Sequence, residues 1–286
     1  MPTKETSKIL PEKITLDYSV EEGYNKIVNN DIVRRLNTGL GRTYFRDEDE
    51  KKKYIYSSTT IINVIDKGIG FRNWLKLYGA ETTEIMQKAA LKGTMIHVCC
   101  SIISTQGFLN TTLKIMDKGR DYEINQDIYN NIIAFKKFYN DYKPVIMAIE
   151  LMLYDPNIPF AGTCDYIAFM KDKKTGEPQL CLIDIKSGKE YKKQHTLQLT
   201  SYKILFDKIF GEEFGYIDKI YCLYLRDTKG YTLKEYPYSP DEWYSTVHLF
   251  HFMNSNARNK MPKIKEEFQI PETINLKEEI ENEPRK

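Results

Sequence analysis

The feature that most restricts how this chain can fold is a pair of short apolar runs, residues 162–170 and 179–186. Each carries one aspartate, and a turn-rich stretch at 172–178 lies between them. Short runs of this kind, separated by Asp, Gly and Pro, read as an antiparallel hairpin. Its centre falls near Lys174 and Thr175, and symmetry about that centre sets Asp165 opposite Asp184. Directly opposed Cβ atoms lie about 4.5–5.5 Å apart, where like charges repel. Aspartate is depleted in strands, and burying an unpartnered carboxylate costs several kcal/mol. Something positive is therefore expected between the two. Mg²⁺, with oxygen ligands at about 2.0–2.1 Å, meets that need and keeps waters for chemistry.

Lys186 stands two residues beyond Asp184, so strand alternation returns it to the same face, about 6–7 Å along. There an amine can orient or deprotonate a water, or hold a phosphate oxygen. An Asp-x-Lys strand opposed by a second Asp is thus a compact apparatus for phosphodiester hydrolysis. The alternative, a surface hairpin of solvated charges, fits poorly with Leu180, Cys181, Leu182 and Ile183 leading into Asp184, because they mark an interior strand.

The flanking pattern predicts an α/β domain. An amphipathic helix is expected over about 21–36, followed by the solvated charge run DEDEKKK at 47–53. Ser57, Ser58, Thr59 and Thr60 offer capping hydroxyls for a short helix through 61–65. A second helix carries Trp74, Leu75 and Leu77, with Trp74 read as a core anchor in preference to a DNA wedge. Helix is predicted again over 81–104, interrupted near Gly93, and over 128–142, ended by Pro144. Strands follow at 145–153, 162–170 and 179–186, then a helix over 194–210 and a hairpin of 217–226 with 231–238. Ser239-Pro240-Asp241-Glu242 starts a last helix, running to about 259. The organisation expected is a helical N-terminal extension (1–56), a catalytic domain (57–260) and a charged tail (261–286).

Lys plus Arg exceed Asp plus Glu by only two, 42 against 40, so any nucleic-acid surface must be local. The opening MPTKETSKILPEK lacks the apolar core of a signal peptide. No apolar run approaches the roughly 18 residues of a membrane helix, so an intracellular chain with no membrane association is expected. Abundant Lys, Asn, Ile and Tyr point to an AT-rich genome, such as that of a phage or low-GC bacterium. The five cysteines, Cys99, Cys100, Cys164, Cys181 and Cys222, lack paired C-x-x-C spacing and read as reduced core residues. His248 and His251 have no accompanying cysteine or acid at zinc-site spacing.

The segment 162–188 resembles the catalytic core of PD-(D/E)XK nucleases. Its neighbours resemble the RecB-like exonuclease branch of that superfamily. Gly93-x-x-x-His97, Glu150 on the first core strand, Asp165 three residues after Gly162, Asp184-x-Lys186, and Gln198-x-x-x-Tyr202 occur in the order of that branch. The resemblance implies a restriction-endonuclease-like core, a central mixed β-sheet flanked by helices. It also implies metal ligation by His97, Asp165, Asp184 and the carbonyl of Ile185, with Glu150 supporting that site or a second ion. Lys186 becomes the catalytic lysine, and Gln198 and Tyr202 position it or DNA phosphates. One or two Mg²⁺ or Mn²⁺ ions are implied. Iron-sulfur members carry cysteines near the C-terminus, and none follows Cys222 here, so no iron-sulfur cluster is expected.

Between the lysine strand and the next helix, Lys189, Tyr191, Lys192, Lys193 and His195 are candidate DNA contacts: basic groups for phosphates and a ring for an unpaired base. The function implied is a metal-dependent DNA exonuclease of repair, recombination or phage DNA processing, with replication or recombination proteins as further partners. The competing readings are a catalytically weak DNA-binding subunit, disfavoured by the intact acids and Lys186, and an endonuclease, for which no recognition domain is evident.

Overall fold

The structure, a computed structural model, describes residues 13–15, 33–38, 41–46, 53–117 and 120–254. Of the described residues, those up to Phe250 form one compact unit, and residues 251–254 are not part of it. The first strands are β1 (Lys13–Thr15), β2 (Val33–Thr38), β3 (Gly41–Arg46) and β4 (Ile55–Tyr56), of which β2, β3 and β4 make an antiparallel sheet. The helix expected to reach Leu36 is therefore corrected over its last residues. Val33 pairs with Arg46 and Leu36 with Thr43, and this ladder overrides the helical period. Residues 21–32 and 47–52 lie outside those described.

Ser57 caps α1 (Ser58–Ile62), its hydroxyl accepting from the Thr60 N–H at 3.0 Å. α2 (Ile69–Tyr78) follows, then a 3₁₀ turn at Gly79–Glu81 and the long α3 (Thr82–Gln106). α3 runs unbroken through Gly93, correcting the expected interruption: a helical glycine costs about 1 kcal/mol relative to alanine, too little to break a helix packed at its C-terminal half. It stops at Gly107, whose φ of 73° suits a residue without Cβ. The expected core anchor Trp74 is also corrected, since α2 contains no buried residue.

Three short strands that the sequence did not announce come next: β5 (Phe108–Asn110), which pairs with β1, and the β6 (Lys114–Asp117) and β7 (Arg120–Glu123) hairpin. α4 (Gln126–Tyr142), capped by the Asn125 side chain, ends just before Pro144. The chain then forms β8 (Val145–Leu153), β9 (Gly162–Lys171), β10 (Pro178–Lys186), α5 (Lys192–Phe214), β11 (Lys219–Leu225), β12 (Tyr231–Glu235) and α6 (Pro240–Met253).

The central sheet has the order β12-β11-β10-β9-β8. Only β10 and β11 run parallel, and α5 supplies the crossover that a parallel pair requires. Strand parity sorts the side chains. Tyr166, Ala168 and Met170 of β9, with Cys181, Ile183 and Ile185 of β10, join α3 and α4 in one apolar cluster. Of the opposite parity, Asp184 and Lys186 meet Gln198 of α5 and Tyr224 meets His195 of α5. This is the mixed sheet flanked by helices expected for a restriction-endonuclease-like core. All five cysteines are free and buried, and burial pushes the Cys99 and Cys181 thiols up to about 12. Among the described residues no helix is long and apolar enough to cross a membrane.

α5 is tied to the sheet edge by a polar relay. His195 Nδ1 lies 2.6 Å from Tyr224 Oη, Tyr224 Oη lies 2.6 Å from Tyr236 Oη, and Tyr236 donates to Glu190 Oε1 at 2.8 Å. Because the last proton goes to a carboxylate, the relay runs one way, and His195 donates from Nδ1 as a neutral imidazole. Burial and the nearby Lys186 charge pull its pKa from 6.5 down to about 4. The unfolded chain therefore binds a proton that the native state refuses between those values. The resulting stability is complete above about 6.5 and is lost as pH falls toward 4. Urea denaturation of His195→Gln should show a smaller loss of stability over that window than the wild type, by a few kcal/mol; equal pH slopes would exclude the buried neutral imidazole.

Candidate active site

The β9–β10 register runs from Pro178 opposite Lys171 to Ile183 opposite Tyr166, and the next rung sets Asp184 level with Asp165. There the backbone ladder gives way to a side chain: Asp165 Oδ2 accepts from the Ile185 N–H at 2.6 Å. On the other side, Ile149 opposes Tyr166 and Leu151 opposes Cys164, which brings Glu150 level with Asp165. Glu150 has φ 49°, a left-handed conformation costing about 1–2 kcal/mol for a residue with a Cβ. Strain of this kind persists where the surroundings over-determine it. Here the kink accompanies a carboxylate aimed at α3, Glu150 Oε1 lying 3.6 Å from His97 Nδ1.

His97 completes the cluster from the helix side. Its Nδ1 is 3.4 Å from Asp165 Oδ1, and its Nε2 is 3.2 Å from the Ile185 carbonyl oxygen. Ligand atoms of His97, Glu150 and Asp165 all lie within 4.8 Å of one another. Burial opposes a charged imidazole, but Asp165 and Glu150 outweigh it and hold the His97 pKa well above its ordinary value. Two carboxylates and an imidazole thus converge on one place, the kind of donor set a divalent cation takes. Gly93, one helical turn before His97, would bring a Cβ only to 3.9 Å from Ser187 Oγ, so sterics do not demand glycine there.

Asp184 and Lys186 form a second, coupled group. Asp184 is buried and ion-paired with Lys186. Gln198 on α5 bridges both: its Oε1 accepts from Lys186 Nζ at 3.0 Å, and its Nε2 lies 3.1 Å from Asp184 Oδ1 and 3.0 Å from Tyr202 Oη. That amide orientation is the one that satisfies an ammonium and a carboxylate together. Burial raises the Asp184 pKa despite Lys186. Burial also acts to lower that of Lys186, but Asp184 and Asp165 prevail and raise it. Lys186 is accordingly a charged donor, suited to hold an anionic oxygen.

The structure therefore gathers His97, Glu150, Asp165 and the Ile185 carbonyl at one point, with Asp184, Lys186, Gln198 and Tyr202 in an adjoining hydrogen-bonded set. Lys189, Lys192 and Lys193 are exposed, and Tyr191 is half-buried. Lys192 and Lys193 belong to the first turn of α5 rather than to a loop. His195, by contrast with these lysines, is buried, with its Nδ1 against Tyr224 Oη.

One requirement escaped the sequence reading. A Cβ on Gly162 would come within 2.4 Å of Tyr202 Cε1, so glycine at that position lets α5 and Tyr202 close over β9. The signal was present in the Gly-x-x-Asp spacing, without its reason.

No family model matches the sequence, and no curated protein does. Among solved structures, an alkaline exonuclease from Laribacter hongkongensis matches at 10% identity, over 72% of this chain and 95% of that one, with a TM-score of 0.34. So distant a likeness says nothing about activity.

The Gly162 contact makes a quantitative expectation. Gly162→Ala should destabilise the fold by about 1–3 kcal/mol through overpacking. In a Tyr202→Ala background the same change should cost much less, because the ring it meets is gone. Denaturant titration of the two single variants and the double variant measures this coupling, and additive losses would refute the contact.

Proposed function

We propose that the chain is a divalent-metal-dependent deoxyribonuclease of the PD-(D/E)XK kind that digests DNA from its ends. The observation that carries the reading is the convergence of His97, Glu150 and Asp165, with ligand atoms within 4.8 Å, beside the buried Asp184–Lys186 pair. The oxygen-rich donors suit Mg²⁺ or Mn²⁺. Asp165, Glu150 and His97 would hold the ion, with the Ile185 carbonyl and Asp184 as further oxygen donors. When bound, such an ion polarises a phosphoryl oxygen and makes water a competent nucleophile near neutral pH.

The chain's own groups do the rest. Lys186, charged and hydrogen-bonded by Gln198, would hold a non-bridging phosphate oxygen and stabilise charge developing there. Gln198 and Tyr202 would limit the rotamers open to Lys186, and so keep its ammonium aimed as the phosphate arrives. Exposed Lys189, Lys192 and Lys193 would neutralise flanking phosphates without reading sequence. The preference for ends follows from the RecB-like resemblance and from the local extent of the basic surface.

Metal binding can be tested without catalysis. Mn²⁺ or Mg²⁺ should raise the midpoint of thermal unfolding, by the equivalent of about 2.7 kcal/mol at a hundredfold excess over Kd. Asp165→Asn and His97→Ala should lose most of that shift; an undiminished shift in both would move the ion elsewhere.

Activity gives the second test. Asp165→Asn, Asp184→Asn and Lys186→Ala should each lower cleavage of linear DNA by at least about 10³-fold, with Lys186→Ala keeping the metal-induced stabilisation. A covalently closed circle should outlast linear DNA of the same sequence. Equal cutting of both would reject the end-directed mode, and wild-type rates in Asp184→Asn would reject the site.

A further inference from the structure

α2 is an unusual element of the fold. Its sequence, IGFRNWLKLY, is strongly amphipathic, yet none of its residues is buried, and Ile69 and Leu77 are 69% and 77% exposed. Phe71 and Trp74, both half-buried, and Tyr78, which is exposed, share one face at i, i+3 and i+7. Their rings follow one another at centroid separations of 5.7 Å and 5.5 Å, the first pair stacked at 18°. The helix contains Arg72 and Lys76 and no acid; its flanking Asp66 is ion-paired with Arg72.

The aromatic face leads toward the catalytic groups. Lys67 Nζ lies 4.8 Å from the centre of the Phe71 ring and 5.7 Å from that of Tyr191. Lys67 and Tyr191 line a cavity of about 190 Å³ with Asn63, Gln194 and Gln198. Gln198 is the residue that holds Lys186 and Asp184. The base of α2 is tied to α5 where Gln194 Nε2 donates to the Asp66 carbonyl at 3.1 Å. A continuous path therefore runs from the rings of α2, past a lysine and a tyrosine, to the lysine of the active site.

We propose that Phe71, Trp74 and Tyr78, with Lys67 and Tyr191, form a track for an unpaired DNA strand leading to the metal cluster. The proposal rests on the nuclease reading of that cluster. Rings in series that are open to solvent on part of their surface give bases a stacking platform that is indifferent to sequence, and interleaved cations hold the backbone. A helix of this length offers about 15 Å, room for a few stacked bases. In a duplex the base faces are already stacked on one another, so the track selects single-stranded ends or tails. A protein partner would also cover an apolar face, but the absence of acids on α2 and the path to Gln198 favour a polyanion.

The chain has two tryptophans, and Trp243 is fully buried against Phe160. Trp74 emission thus reports the track directly. In the full-length protein with EDTA, which prevents cutting, an oligothymidylate should quench Trp74 emission, and a closed-ended DNA dumbbell should not. Trp74→Ala and Phe71→Ala should each weaken oligothymidylate binding about tenfold by anisotropy. Both should stay folded by circular dichroism, since α2 buries nothing. Lys67→Glu, which removes no ring, should weaken binding as well. Unchanged affinity in all three variants overturns the track. So does self-association that Leu77→Glu abolishes while strand affinity is unaffected, an outcome that would assign the face to protein contact. Failure of the nuclease reading is separable: the wild type would then cut no DNA in Mg²⁺ or Mn²⁺, whatever the tryptophan reports.

Discussion

Asp165 stands on a strand inside the sheet, where a carboxylate is costly unless its oxygens are used. One accepts from the Ile185 N–H, and the other faces His97. The first contact replaces a rung of the β9–β10 ladder, and it lies beside the Ile185 carbonyl that His97 Nε2 approaches. The second draws α3 onto the end of the sheet. One buried side chain thus links two strands and a helix at the place where the acidic cluster forms. Truncating it would leave the Ile185 N–H unpaired and take one of two carboxylates from His97.

α5 organises the neighbouring half of the site through a single amide. Gln198 presents oxygen to Lys186 and nitrogen to Asp184 and Tyr202, so each of the three constrains the others. The close approach of Tyr202 to β9 depends on a glycine at position 162. Local geometry is in this way subordinated to the site twice, by a glycine in a strand and by the left-handed backbone at Glu150. Both are penalties in isolation, and the packing around them makes them tolerable.

α2 contrasts with the rest of the domain. The core helices bury apolar faces against the sheet, whereas α2 buries no residue fully, leaving Phe71 and Trp74 half-buried and Tyr78 exposed while being tied at its base through Gln194. Amphipathicity in a sequence says that a face seeks a partner. It does not say whether that partner is the sheet, as for α4, or something outside the domain. Trp74 read as a core anchor because a tryptophan more often fills a core than wedges into DNA, and only the packing corrects it.

Much of the central sheet was legible in the chain itself. Short apolar or β-branched runs between turn residues define β8, β9 and β10, and the turn at 172–178 sets the β9–β10 register, because a hairpin's pairing is fixed by where the chain reverses. Asp165, Asp184 and Lys186 share a face as a matter of strand parity, which is local arithmetic. The helices were readable from caps and prolines, apart from their ends. Val33–Leu36 read as the end of a helix but form strand, because pairing with Thr43–Arg46 outweighs a period seen in one segment alone. The burial of His195, the left-handed backbone of Glu150 and the Gly162–Tyr202 contact could not be read at all. Each depends on which element comes to lie against which, and a linear pattern carries no information on that until distant segments share a core.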